Sequence, residues 1–499
     1  MIIFHSTGVW QCAARESAHI ILRNRLLPGF RSLLSPSSTF AIRQGQSTAL
    51  RSPVSCFNIN ICHRSVQLGA HQSTTPVCNL HNFVHTELPT GKIMSGTFAL
   101  TSDEFFDFEV LRLLSSVRYG GADVGEILKT AALLKPGDFE SYHDAFKNTA
   151  LRINKQADAI NTDKNPISAR DSYFRVSTYY RAAEFFIHGQ PNDPRIRPLW
   201  DQQMTCFNKA IALLPQPGER LLLKGSDFDI PAIFYPAAQG ATTTPKPTII
   251  LGNGFDGSQE ELLHAFGFAA LERGYNVMTY EGPGQPTVRQ RQGLGFIHDW
   301  ERVVSPVVDH LFARPEVDSK RVALFGLSMG GYLSVRAAAF EPRIAATIAV
   351  DGVDDVSAAF CHMLPPAAKV LYEAGENDQV NKFVEELFAS GKAPTALRWG
   401  VEHGIYSFAA ESPTDFLNRT KLMTLAGITD KIKRPVLICE ASNDRFFEGQ
   451  PARVKESLGD LGTYVILTDE DAASLHCHVG AFTFANQNVF DRLEDALSS

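Results

Sequence analysis

The sequence predicts an α/β fold in which a mostly parallel sheet is flanked by helices. Short apolar segments alternate with helical stretches from residue 248 onward, which is the pattern of a parallel sheet wrapped by helices. Before them, residues 101–215 show helical periodicity alone. A net charge of −7 over 499 residues leaves no basic excess for nucleic-acid binding. We therefore expect one large α/β core preceded by a helical domain.

The first 93 residues differ in composition from the rest of the chain. They hold eight Lys and Arg residues against two acidic residues, and they are rich in Ser. An organelle transit peptide has this composition, but we favour a disordered leader without function, with Met94 as the natural start. The cysteines after it lack metal-ligand spacing, which is typical of a reduced intracellular protein. The cytoplasm is the expected compartment, with mitochondrial import through the leader as the alternative.

Residues 94–216 are predicted to form the helical amino-terminal domain. Thr101 and Glu104 have the spacing of a capping box, and the apolar residues of 103–117 fall largely on one side of a helix. Cap and breaker residues predict four further helices, near Asp123, near Asp138, over 169–188 and over 194–214.

The α/β core is predicted to comprise residues 217–352 and 431–499, opened by a hairpin over 221–224 and 230–235. The later strands are expected at apolar segments 248–252, 276–280, 322–325, 344–350, 436–439 and 463–467. Residues 353–430 show no strand pattern. They should form a helical cap insertion over the carboxyl edge of the sheet, where open α/β folds bind ligands.

Ser328 is the predicted nucleophile. It is the centre of Gly326-Leu327-Ser328-Met329-Gly330, which follows an apolar strand and precedes an Ala-rich helix. A serine in such a tight strand-to-helix turn projects its hydroxyl above the sheet, and the two glycines leave room for the turn. The pentapeptide alone would occur by chance in roughly one chain in six of this length. The flanking strand and helix therefore carry the prediction.

Backbone N–H groups near this serine are predicted to hold an oxyanion. The N–H of Met329 begins the following helix and points at the same spot as the serine hydroxyl. A second donor should come from the flexible loop over 253–257, after strand 248–252, through Phe255 or Asp256.

The serine also needs a base to take its proton and an acid to orient that base. Asp444, which follows the apolar segment 436–439, is the predicted acid. Three rival acids follow the segment 344–350: Asp351, Asp354 and Asp355.

Two histidines compete for the role of base. His476 and His478 lie two residues apart before the final helix, so both could face one side of an extended segment. Spacing alone does not choose between them.

With these motifs assembled, the chain from Met94 onward resembles the fungal α/β-hydrolases of secondary metabolism, the fusarin-type hydrolase family. The segments that carry the resemblance are DEFFDFEVLRLL, YGGADVGEIL, GDFESYHDAF, RVSTYYRAAEFF, GNGFDGSQEEL, YEGPGQPTVRQ, FIHDWERVVSPVVDHL, GLSMGGYLSVRAAAFEPRIAA, DRFFEGQP and HCHVGAF. The chain is more distantly similar to polyketide-shortening pigment hydrolases and to the carbon–carbon bond hydrolase of nicotine breakdown. The resemblance implies the α/β-hydrolase fold, assigns His476 to a Ser-Asp-His triad and implies no metal or organic cofactor.

The resemblance also implies a substrate pocket between the helical domain, the cap and the sheet edge. Candidate lining residues are Tyr179, Tyr180 and Arg181 in the long helix, with Trp399 and Tyr406 in the cap. The expected function is a serine hydrolase acting on a polyketide or polyketide–peptide metabolite, as in mycotoxin pathways. It would cleave an ester, a thioester or a C–C bond, with or without ring closure.

A non-covalent cyclisation or condensation catalyst, or a binding scaffold, is the alternative function. The expected partner is a small-molecule substrate, and neither nucleic acid nor a membrane is expected to bind. Whether the protein forms a homodimer is left open by the sequence. Dehalogenase chemistry is disfavoured because it would call for Asp at the position of Ser328.

Overall fold

The computed structural model describes residues 2–4, 10–12, 99–237 and 244–498. Except for two short antiparallel strands, β1 (Ile2–Phe4) and β2 (Trp10–Cys12), the predicted leader lies outside the described residues. These strands belong to a first compact unit, Met1–His85, and the second unit is Thr86–Ser499. All that follows concerns the second unit.

Helices precede the sheet, as the sequence predicted. They are α1 (Glu104–Ser115), α2 (Val124–Ala131), α3 (Phe139–Asp158), α4 (Pro166–Glu184) and α5 (Ile196–Ala212). The side chains of Asp123 and Asp138 accept hydrogen bonds from the first turns of α2 and α3, which satisfies N–H groups that a helix leaves unpaired. Pro166 begins α4, where the fixed φ of proline suits the first helical position.

The capping box predicted for α1 is wrong. The side chain of Asp103, not that of Thr101, accepts hydrogen bonds from the N–H groups of Phe105 and Phe106. Thr101 instead donates its hydroxyl to the carbonyl of Asp103 at 2.8 Å. A carboxylate at the positive end of a helix is stabilised by the helix dipole as well as by the hydrogen bonds, so Asp103 is the better cap.

The core is an eight-stranded sheet. Its strands are β3 (Glu219–Lys224), β4 (Asp229–Tyr235), β5 (Lys246–Gly252), β6 (Asn276–Tyr280), β7 (Val317–Leu327), β8 (Ala346–Val350), β9 (Val436–Ala441) and β10 (Gly462–Leu467). The spatial order is β10-β9-β8-β7-β5-β6-β4-β3. Strands β5 to β10 pair in parallel, and β3 and β4 are antiparallel. This topology confirms the predicted fold class.

Strand β7 is longer than its apolar segment predicted. Its first half includes the exposed residues Ser319 and Lys320, so hydrophobicity could locate only the buried half, from Val322 onward. That buried half is what carries Ser328 to the carboxyl edge of the sheet.

Helices flank the sheet and form the segment above its carboxyl edge. In chain order they are α6 (Gln259–Leu262), α7 (Phe268–Glu272), α8 (Pro286–Gln292), α9 (Glu301–Phe312), α10 (Gly330–Phe340), α11 (Val356–Met363), α12 (Pro366–Glu373), α13 (Asn377–Ala389), α14 (Thr395–Ser407), α15 (Pro413–Thr420), α16 (Gln450–Leu458) and α17 (Phe482–Ser498). Helices α11 to α15 lie within residues 353–430, the segment predicted to form the cap. Within the described ranges, no helix has the length and apolar character needed to cross a bilayer.

Candidate active site

Ser328 lies in a sharp turn between β7 and α10. Its φ is +61°, a left-handed conformation that non-glycine residues rarely adopt, and its N–H donates to the carbonyl of Val350. A Cβ on Gly326 would lie 1.8 Å from the carbonyl oxygen of Gly330, and one on Gly330 would lie 2.9 Å from that of Asn253. Both glycines are therefore required by close backbone approach, and the strained turn presents the serine hydroxyl.

The structure places His476, and not His478, against the serine. The Nε2 of His476 lies 3.0 Å from the Oγ of Ser328, and its Nδ1 lies 2.8 Å from the Oδ2 of Asp444. His478 is fully buried, and its Nδ1 lies 2.8 Å from the carbonyl of Ala473 instead. Serine, imidazole and carboxylate thus form one continuous hydrogen-bonded line.

The three rival acids occupy different places. Asp354 forms an ion pair with Arg453 at 2.8 Å, and Asp355 caps the first turn of α11. Asp351 is fully buried, and its Oδ2 lies 2.9 Å from the Nδ1 of His476. One rival therefore contacts the same ring nitrogen as the predicted acid.

The two acids and the imidazole perturb one another's proton affinity. Burial disfavours the charged imidazolium, but the neighbouring acidic groups, Asp444 first, outweigh it and hold the pKa of His476 well above its ordinary value. Burial raises the pKa of Asp444, and the neighbouring Asp351 raises it further. Burial opposes the ionisation of Asp351 as well, but His476 outweighs it and lowers the pKa of Asp351.

The loop predicted to supply the second oxyanion donor passes directly beside the elbow. A Cβ on Gly254 would lie 2.7 Å from the carbonyl oxygen of Leu327 and 2.8 Å from the backbone nitrogen of Met329. The N–H of Met329 belongs to the N-terminal end of α10, where backbone donors have no partner within the helix. The backbone of Phe255 and Asp256 follows immediately, and both residues line the same cavity as Ser328 and Met329.

His403 anchors this loop from the cap. Its Nε2 donates to the carbonyl of Phe255 at 3.0 Å. Because the C=O and the next N–H of a trans peptide point in opposite directions, this bond also sets the direction of the Asp256 N–H. Burial, and secondly His188, lowers the pKa of His403 to about 3. Neutral His403 therefore accepts a hydrogen bond at its Nδ1 from the Nδ1 of His188, at 2.9 Å. The Nε2 of His188 in turn lies 2.8 Å from the Oε1 of Glu184.

A cavity of about 860 Å³, including its open mouth, lies over Ser328 and His476. It is bounded by α1, the cap and the carboxyl edge of the sheet, which is where a substrate pocket was expected. Its walls are mostly apolar and include eight aromatic side chains, those of Phe105, Phe108, Phe255, Phe360, Trp399, Phe446, Phe447 and Phe482.

One wall of the cavity is polar. The Nη1 of Arg112 lies 2.7 Å from the Oδ2 of Asp256, and its Nε lies 2.6 Å from the Oε1 of Glu261. Burial raises the pKa of Glu109 on the same wall to about 7. Burial opposes the ionisation of Asp256, but Arg112 and Arg181 outweigh it and lower its pKa. The cavity therefore combines an apolar body with a charged edge.

Trp399 lines this cavity, but four other predicted lining residues do not. Tyr179 donates its hydroxyl to Glu126 at 2.7 Å, and Tyr180 is buried, so both pack within the helical domain. Tyr406 stacks on His188, with the ring centroids 4.2 Å apart, behind the cavity wall. Arg181 lies behind Asp256, at 3.6 Å.

Sequence reasoning missed the contribution of α1, which supplies Phe105, Phe108, Glu109 and Arg112 to the cavity. The apolar run of this helix indicated packing only. A signal was nevertheless present, because charged residues embedded in a buried apolar run require partners or a function.

Asp351, His476 and Cys477 are the described residues whose ligand-type atoms cluster, within 4.8 Å of one another. They suit a metal poorly. Both ring nitrogens of His476 are engaged, by Ser328 and by carboxylates. Burial raises the pKa of the Cys477 thiol to about 12, so the thiolate that a metal prefers is disfavoured.

The chain is similar to known hydrolases over most of its length. The model of the alpha/beta hydrolase family matches residues 249–484. The chain is 32% identical to the 20-hydroxy-prefusarin hydrolase of Gibberella moniliformis over 412 residues, covering 80% of this chain and 97% of that protein. It is 31% identical to the alpha/beta hydrolase psoB of Aspergillus fumigatus over 432 residues, covering 80% of this chain and 95% of that one.

The fold is also that of a solved structure. The crystal structure of the 2,6-dihydroxy-pseudo-oxynicotine hydrolase superposes with a TM-score of 0.62 at 19% identity, covering 77% of this chain and 95% of that one. The helical region before the sheet is therefore part of a shared architecture. The chain belongs to the alpha/beta hydrolase family, within the group of fungal secondary-metabolite hydrolases that includes the 20-hydroxy-prefusarin hydrolase.

Proposed function

We propose that this protein is a serine hydrolase with Ser328 as nucleophile and His476 as base. The observation that carries the proposal is the 3.0 Å contact between the Nε2 of His476 and the Oγ of Ser328, with a carboxylate 2.8 Å from Nδ1. This is hydrogen-bond reach for proton transfer from the hydroxyl to the imidazole.

The proposed reaction passes through an acyl-enzyme. The Oγ of Ser328 attacks a substrate carbonyl carbon while its proton moves to the Nε2 of His476. The N–H of Met329 and that of Phe255 or Asp256 hold the resulting oxyanion. Collapse expels the leaving group, which takes the proton from the imidazolium. Water then attacks the acyl-serine with His476 again as base, releasing a carboxylic acid and the free enzyme.

A polyketide or polyketide–peptide metabolite is the proposed substrate class. A mostly apolar cavity with many aromatic side chains suits an extended unsaturated chain, and the polar wall formed by Glu109, Arg112, Asp256 and Glu261 suits its oxygenated groups. Similarity to a 20-hydroxy-prefusarin hydrolase supports the same class. The scissile bond is an ester, a thioester or the C–C bond of a β-diketone, whose enolate leaving group is self-stabilised. We also propose the cytoplasm as its compartment, because the cysteines after the leader have the pattern of a reduced intracellular protein.

A fluorophosphonate tests the mechanism directly, because it phosphonylates only an activated serine. Intact-protein mass spectrometry should show one adduct on the wild type and none on Ser328→Ala. Ser334→Ala is the matched control, since this buried serine lies in α10 just after the elbow, and it should keep the adduct. Folded wild-type protein without any adduct would reject the covalent mechanism in favour of a catalyst that only polarises a carbonyl.

His403→Phe should slow this labelling by about 10- to 100-fold, as expected when an oxyanion donor is misplaced. The variant loses the hydrogen bond to the Phe255 carbonyl. It keeps an aromatic ring in the stack on Trp399, where the centroids lie 5.4 Å apart. The measurement is the second-order rate constant of adduct formation.

Tyr406→Phe is the control for His403→Phe, because it removes one hydroxyl from the same helix at a site behind the cavity wall. Its labelling rate should stay within about two-fold of the wild type, as expected for loss of one polar contact remote from the reacting atoms. A wild-type rate for His403→Phe would mean that the loop holds its direction without the cap.

A further inference from the structure

Two carboxylates meet the same nitrogen of the base. The Oδ2 of Asp444 lies 2.8 Å from the Nδ1 of His476, and the Oδ2 of Asp351 lies 2.9 Å from it. They come from different strands, since Asp351 directly follows β8 and Asp444 follows β9. Neighbouring parallel strands thus bring both acids to one point at the sheet edge.

Each carboxylate is held in place by its own backbone donor. The Oδ2 of Asp351 accepts the N–H of Cys477 at 3.2 Å, and the Oδ1 of Asp444 accepts the N–H of Phe446 at 2.7 Å. The side chains of Asp351 and Asp444 are 0% and 4% exposed. Two ionised carboxylates that contact the same nitrogen and are shielded from water repel each other strongly. Such pairs retain one proton between them.

We propose that Asp351 is a second positioning residue for His476, and that Asp351 and Asp444 share one proton so that either carboxylate alone can orient the imidazole. The inference rests on the serine-hydrolase function proposed above. The pair carries one negative charge, which stabilises the imidazolium that forms when Ser328 gives up its proton. If one of the two acids is replaced by a neutral residue, the other is fully ionised and still contacts the Nδ1 of His476.

Three other titratable groups that face this cluster are favoured in their neutral forms, and a fourth is a carboxyl group with a raised pKa. Burial raises the pKa values of the Cys439 and Cys477 thiols to about 12, so both stay neutral. Burial lowers the pKa of His478 and so favours its neutral form. Glu440 lies on β9, and burial, with Asp351 next, raises its pKa.

The test compares Asp351→Asn, Asp444→Asn and the double variant in the full-length protein. The readout is the rate constant for fluorophosphonate labelling between about pH 5 and about pH 10, a range that spans a perturbed imidazole. Each single variant should lose less than about 100-fold. The double variant should lose about 10⁴-fold, as expected when a base loses its only carboxylate partner.

The pH profile separates this role from a merely structural one. Labelling needs unprotonated His476, so the rate rises with pH through the pKa of the imidazole. Removing all negative charge at Nδ1 destabilises the imidazolium and lowers that pKa. The pH at which the labelling rate rises should therefore match the wild type in both single variants. In the double variant it should be lower by about one pH unit or more.

The proposal that the two acids share one proton would be wrong if either single variant alone lost about 10⁴-fold in labelling rate and shifted the pH at which the rate rises. This applies to Asp444→Asn and to Asp351→Asn. If Asp351→Asn does not fold, Asp444→Asn still decides, because the proposal requires it to lose less than about 100-fold in labelling rate and to keep the wild-type pH profile. Asp354→Asn is the control, since this acid pairs with Arg453 instead. Failure of the serine mechanism itself is distinguishable, because the wild type would then carry no adduct.

Discussion

Turnover is expected to fall by about 10⁶-fold when His476 is replaced by Ala, which is the size of loss seen when a serine hydrolase loses its base. The Nε2 of His476 is the group 3.0 Å from the Ser328 hydroxyl. Without it the hydroxyl keeps its proton and is a poor nucleophile at neutral pH. The measurement is kcat/KM on an activated ester that the wild type hydrolyses, with thermal unfolding to show that the variant is folded.

Two further variants make this result specific. The double variant Ser328→Ala/His476→Ala should be no slower than either single variant, because the two side chains act as one unit. His362→Ala is the matched control, since it removes an exposed histidine from cap helix α11 and should change the rate by less than about two-fold. A loss below about 100-fold in His476→Ala would identify another group as the base.

The sheet and its reactive edge could be predicted from the sequence because they depend on local patterns. Apolar segments bounded by turns located each parallel strand of the sheet, and the residues at the strand ends then share one edge. The positions of Ser328, Asp444 and His476 follow from that rule without any knowledge of side-chain packing. The resemblance supplied only the choice of His476 over His478.

The walls of the cavity could not be predicted in the same way. Helix α4 is buried nearly all round from Tyr173 to Glu184, so its pattern of apolar residues does not indicate which side faces the substrate. Tyr179 and Tyr180 were therefore misplaced. The contact of Asp351 with His476 was equally hidden, because it depends on where two loops from neighbouring strands direct their side chains.

The other large effect is expected on the stability of the folded protein. Gly326→Ala should cost more than about 4 kcal/mol in the free energy of unfolding, in the range of substitutions that force a backbone clash. The added Cβ would lie 1.8 Å from the carbonyl oxygen of Gly330 and 2.5 Å from the Oγ of Ser334. A carbonyl that follows the elbow cannot move away without displacing Ser328, so the strand-to-helix turn itself must distort.

Gly125→Ala is the control for this prediction, because it adds the same methyl group elsewhere. Its Cβ would meet only the Oδ1 of Asp123, at 3.4 Å, in the first turn of α2. We expect no loss and a gain of up to about 1 kcal/mol, since alanine restricts the unfolded chain and favours the helix. Urea titration followed by circular dichroism measures both variants. Wild-type stability in Gly326→Ala would mean that this glycine serves the access of substrate to Ser328 rather than the turn.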